Sequence, residues 1–127
     1  MTATTQFATL PALGGAFEGG LFAGLTTDKE GRHLAVVLLP DKPATTLAWK
    51  KAVEWAACVN GVLPTRPVSE LLFANAKDQF DPDWYWTSEV FYRSHAWGQY
   101  FDSGFQGTSR KSYAGQARAV RLIQLTA

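Results

Sequence analysis

The spacing of apolar residues changes along the chain, and each change marks an element. Residues 1–13 are rich in Thr and Ala, with Phe7, Leu10 and Leu13 as the large apolar side chains. Nothing in them alternates, so they read either as a first strand or as an extended arm laid on a neighbouring subunit. Gly14–Thr27 is apolar but interrupted by glycines, which within a strand mark a bulge or the close approach of another backbone. Asp28–Arg32 (DKEGR) is turn chemistry and His33–Pro40 (HLAVVLLP) is a short apolar strand. Together these segments predict a β-hairpin.

The period then becomes helical. Trp49, Ala52, Val53, Ala56 and Val59 form one stripe, with Thr45 or Thr46 as the cap and Asn60-Gly61 as the stop. Cys58, beside Ala56, Ala57 and Val59, reads as a small buried hydrophobe. In LPTRPVSELL, Thr65 caps a second helix, Pro67 suits its first turn and Glu70 lies near its positive end. Leu71, Leu72 and Phe73 face inward, and the helix stops near Lys77, before the turn residues Asp78–Asp83. From Trp84 onward the period is two. WYWTS, HAWGQYF, a Gly-rich stretch and ARAVRLIQL read as strands of one antiparallel sheet. The fold class is α+β, with two helices packed on an antiparallel sheet.

Ten of the 26 residues from Phe80 to Phe105 are aromatic, with Ser, Gly, Gln and Arg between them. Rigid amphipathic rings among small polar residues make adaptable recognition surfaces. With 127 residues the chain is one domain, large enough to bury roughly two-thirds of its unfolded surface. Its net charge of +1 argues against nucleic acid as a partner. Residues 89–127 carry five Lys or Arg against two acids, but Arg93, Arg110, Lys111, Arg118 and Arg121 are spread out and read as a solvated sheet face. Alternation puts Arg118 and Arg121 on opposite faces, Arg118 tied into the sheet by hydrogen bonds and Arg121 in solvent. The single cysteine allows no internal disulfide, and the N-terminus has neither a basic start nor an apolar core. Cytoplasmic synthesis without a secretory signal is therefore expected. No apolar run approaches the roughly 20 residues that cross a bilayer, so no membrane insertion is expected.

Catalytic and metal chemistry are poorly represented. His33 and His95 have no cysteine pair near them in sequence for zinc. Asp78, Asp81, Asp83 and Glu89 lack the spacing and glycine of a calcium loop. No nucleophile elbow, zincin motif or phosphate loop occurs. No cofactor and no enzyme activity are expected.

The ordered motifs LPTRxxxELLFAN (Leu63–Asn75), DxxWYWTSE (Asp81–Glu89), AWxQxFxxGxQ (Ala96–Gln106), Lys111 and ARAVR (Ala117–Arg121) carry a resemblance. Over Trp49–Ile123 the chain resembles the Lcl C-terminal domain family of phages, prophages and bacterial surface proteins. The resemblance implies a single C-type-lectin-like domain over residues 14–127, used for binding and not for catalysis. It implies a phage or prophage virion protein, of tail or baseplate, that recognises a host surface glycan or envelope protein. By analogy with variable receptor-binding proteins of the same broad fold, Trp84, Trp86, Trp97, Phe101, Gly104, Arg118 and Val120 are scaffold. The ligand face then draws on Phe91, Tyr92, Arg93, His95 and Tyr100, and on Asp102, Phe105, Gln106, Arg110 and Tyr113. The chain has neither the Glu-Pro-Asn nor the Gln-Pro-Asp triplet of calcium-dependent lectins, so calcium-mediated sugar binding is not expected. Two other readings stay open. One is a structural virion protein, a capsid decoration or baseplate adaptor, contacting other virion proteins or copies of itself. The other is a formylglycine-type enzyme, which shares the broad fold and would need Cys58 to be reactive.

Overall fold

The computed structural model describes residues 4–126. Within them the chain is α+β: β1 (Thr4–Gln6), β2 (Ala16–Phe17), β3 (Gly20–Thr27) and β4 (His33–Leu38) precede α1 (Trp49–Cys58) and α2 (Arg66–Ala76). There follow β5 (Trp84–Tyr92), β6 (His95–Tyr100), β7 (Gln106–Arg110) and β8 (Val120–Thr126). Of the N-terminal segment, residues 4–6 pair as a strand on β8, while residues 1–3 lie outside the described part.

The expected single sheet is in fact two. One has the order β1-β8-β4-β3-β2 and the other β5-β6-β7. The first is mixed, because β1 runs parallel to β8 while its other pairs are antiparallel. The last strand leaves its sequence neighbours because β8 is aliphatic and its register fits β4: Val36 faces Leu122 and Leu38 faces Val120. Alternation along β4 and β8 then fills both faces. Ala35, Val37, Ile123 and Leu125 join one cluster with Ala52 and Ala56 of α1 and with Trp84 and Trp86. Val36, Leu38 and Val120 join another with Val68, Leu72 and Ala76 of α2 and with Tyr85 and Phe101. The helices therefore cover opposite faces of the five-stranded sheet.

α2 begins as its sequence predicts: Thr65 Oγ1 accepts from Val68 N–H at 3.3 Å, and a proline lies in the first turn. A second acceptor was not foreseen, since Glu89 Oε2 receives the Arg66 N–H at 2.7 Å. Glu89 thus serves the helix end and not a carboxylate cluster. α1 starts later than expected and has no side-chain cap, with Ala48 at the cap position. The reason lies in the preceding chain: Leu47 exchanges two backbone bonds with Gly115, and Trp49 N–H donates to Lys111 O at 2.9 Å. A distant carbonyl does the work expected of Thr45 or Thr46. The stop is as read: Asn60 takes a left-handed conformation (φ 63°) and Gly61 N–H reaches back to Ala56 O at 2.9 Å.

Cys58 is exposed, contrary to expectation. Ala52 and Ala56 occupy the inward stripe of α1, and a residue two beyond Ala56 lies about 200° further round the helix. Val53 is exposed as well, and burial does not argue against a reactive thiol at Cys58. No helix among the described residues is long and apolar enough to cross a membrane.

Candidate functional site

The three-stranded sheet carries the candidate site. β5 and β6 form a hairpin whose turn is Arg93-Ser94, closed by the pair Tyr92 and His95. Its scaffold is three rings in a row: Trp84, Tyr85 and Trp86 are all buried, because the strand is covered on both sides. Trp84 lies flat across β6 at Gly98, where a Cβ would come within 2.3 Å of the indole Cζ2. Only glycine fits there. Behind the sheet, Trp86 Nε1 donates to Leu47 O and Trp49 Nε1 to Thr87 O, both at 2.9 Å.

Arg118 closes the other side. It precedes β8 instead of belonging to it, is buried, and donates to the carbonyls of Gln79 and Leu39. No carboxylate lies within ion-pairing distance of it among the described residues, and its guanidinium sits 5.2 Å from the Phe80 ring centroid. Burial lowers its pKa, against the pull of the nearby Tyr85, Asp41 and Asp81. Arg121 is only half-buried, and it bridges to the β2–β3 turn through Glu18 O at 3.0 Å.

The ten residues expected on one ligand face divide among five places. Tyr100, Phe105 and Tyr113 gather around Trp84 and line a hollow of about 440 Å³ with Thr108 and Ser109. Phe91 is exposed on a different part of the sheet, its ring edge-on to Trp97 at 5.6 Å. At the hairpin end, Tyr92, His95 and Arg110 lie side by side across three strands, with exposed Arg93 at the turn. Asp102 is exposed in the β6–β7 turn, where its carbonyl accepts from Lys77 Nζ at 3.4 Å.

Gln106 is not a free ligand-facing residue. Its amide donates to Arg66 O (2.9 Å) and Gln99 Oε1 (3.1 Å), and its oxygen accepts from Arg66 Nε (2.9 Å). Register explains the difference, since Gln106 pairs with the buried Gln99 and so points to the α2 side. The expected scatter of basic residues also needs correction. Arg110 lies opposite His95, and Lys111 N–H bonds to Ser94 O at 2.8 Å, so folding collects Arg93, His95, Arg110 and Lys111 at one end of the sheet.

Sequence reasoning missed Arg66, whose guanidinium stacks 3.5 Å over the Trp97 ring. It also missed Thr108 and Ser109. Their signal was the strand pattern of QGTSR, which the neighbouring aromatics overshadowed. No group of three or more His, Cys, Asp or Glu side chains converges among the described residues. No family model matches the chain, and no curated protein matches it.

Proposed function

We propose that this chain is a non-enzymatic binding module of C-type-lectin-like fold, carried on the surface of a phage or prophage virion. Its three-stranded sheet touches a host glycan or envelope protein. The observation that carries this reading is the distribution of exposed rings. Six aromatic side chains are exposed among the described residues, and five of them (Phe91, Tyr92, Tyr100, Phe105 and Tyr113) come from the three-stranded sheet and its loops. Solvent-exposed large apolar side chains concentrated on one part of a small domain mark interaction sites. The buried Trp84 gives Tyr100, Phe105 and Tyr113 a rigid base. The ordered motifs over Trp49–Ile123 supply the lectin-like and virion parts of the proposal.

The test is retention of purified protein on bacterial envelopes and on a glycan panel, beside a Tyr92→Ala/Arg93→Ala/His95→Ala variant of unchanged melting temperature. Binding by the wild type and loss in the folded variant supports the reading and places the contact at the hairpin end. If the wild type binds neither envelope nor glycan, the proposal fails and a structural role against other virion proteins replaces it.

A further inference from the structure

We infer that the hollow around Trp84 is a subsite for one neutral pyranose unit of a glycan, an inference that rests on reading the three-stranded sheet as a binding surface. The first support is a donor without a partner. Trp84 is 6% exposed and its Nε1 has no hydrogen-bond acceptor, although the indoles of Trp49 and Trp86 both have one. A buried donor left unmade is destabilising, so an acceptor that reached that edge would satisfy it. The indole is seated on glycine at both atoms flanking Nε1, and it fills the space that side chains would take: a Cβ on Gly98 would sit 2.4 Å from Cε2, and one on Gly115 2.9 Å from Cδ1. Gly115 lines a smaller hollow of about 200 Å³ that shares Trp84 and Tyr113 with the larger one.

The walls specify the ligand further. Tyr100, Phe105 and Tyr113 are exposed rings, whose negative faces suit the polarised C–H face of a pyranose. Ser109, on the same face of the sheet as Tyr100, and the two phenols add hydroxyls that both donate and accept. A polyol offers both roles in return, whereas a proline-rich segment, which also suits aromatic grooves, lacks backbone N–H groups to donate. No charged side chain lines the larger hollow, and the only one at the smaller is Asp83. An anionic sugar would therefore meet no counter-charge and one like charge.

The experiment is a titration of the ¹⁵N-labelled chain, following the Trp84 indole N–H resonance. The probes are glucose, galactose, mannose, rhamnose, N-acetylglucosamine and N-acetylgalactosamine, with glucuronate and a polyproline peptide for comparison. At least one neutral sugar should move that resonance saturably. Phe105→Ala/Tyr113→Ala should weaken the same sugar at least tenfold without changing the melting temperature. The inference is overturned if none of the six sugars moves the resonance, or if glucuronate or polyproline moves it more than they do. Silent sugars with envelope binding that depends on Tyr92, Arg93 and His95 would remove the subsite and leave the binding module standing. Silence in both assays would remove both.

Discussion

In the five-stranded sheet, Ala35, Val36, Val37 and Leu38 run through the centre essentially without solvent contact, while in the three-stranded sheet buried rings adjoin exposed ones. The first is aliphatic on both faces because a helix covers each. The second is built of Trp, Tyr, Gly, Gln, Thr and Ser, and its rings pack edge-to-face: Trp84 on Trp86 at 5.9 Å and on Tyr100 at 5.0 Å. Aliphatic side chains stabilise by filling volume completely. Amphipathic rings can bury one edge and show another, so a recognition surface can be continuous with its core. On the proposed reading, the difference separates stability from binding.

Mutations should fail differently in the two sheets. Leu38→Ala removes atoms from a closed core and should cost about 2–5 kcal/mol. Its cavity opens beside Tyr85 and Phe101 but displaces no ring, so it should change the near-ultraviolet signal of the remaining folded protein less than a displaced indole would. Gly98→Ala adds a single carbon, but the carbon falls on the Trp84 ring and within 2.8 Å of Tyr85 O, so overpacking should cost about 1–3 kcal/mol. Its signature should be a changed near-ultraviolet spectrum, because Trp84 has to move. Urea titrations with both spectra recorded would test this. An unchanged aromatic signal in Gly98→Ala would break the contrast.

A smaller effect should appear at high pH. Burial raises the Tyr85 pKa above its ordinary value of 10.0, against the Asp81 N–H bond to its oxygen (2.9 Å) and the nearby Arg118. The folded state therefore holds that proton more tightly than the unfolded chain does. Its stabilisation is complete below pH 10.0 and is lost as pH rises through the folded value. Tyr85→Phe should cost about 1 kcal/mol at neutral pH, for the lost hydrogen bond. Above pH 10.0 the variant should lose less stability than wild type, and equal losses would show that Tyr85 does not control the alkaline limb.

What the sequence made legible was local. Thr65 and Pro67 start α2 without tertiary help, and Asn60-Gly61 ends α1 by backbone conformation alone. Of the residues expected inward on α2, only Leu72 is fully buried, with Val68 and Ala76 completing the stripe in place of Leu71 and Phe73. The DKEGR hairpin is equally self-contained, with Asp28 accepting from the Glu30 and Arg32 N–H groups. What was not legible depended on partners far along the chain. The start of α1 is set by Lys111 and Gly115, the placement of β8 by β4, and the outward turn of Cys58 by the helix stripe that the sheet selected. The candidate site suffered most. Strand alternation identified its residues but not their register, and register decides which side of the sheet receives Gln106 or Tyr100.

That division of the site gives the smallest and most discriminating prediction. Among the ten candidate residues, Gln106 is held by three hydrogen bonds, so Gln106→Ala should cost about 1 kcal/mol and loosen Arg66 from the Trp97 ring. Tyr92 and Phe105, 62% and 65% exposed, end in solvent, and replacing either with Ala should change stability by no more than about 0.5 kcal/mol. Thermal melts of the three single variants would sort them. If Phe105→Ala destabilised as much as Gln106→Ala, its ring would belong to the core of the sheet and not to a surface kept open for a ligand. If all three melted with the wild type, the Arg66–Gln106 network would be a surface feature too, and the line between scaffold and binding face would have to be redrawn on the α2 side.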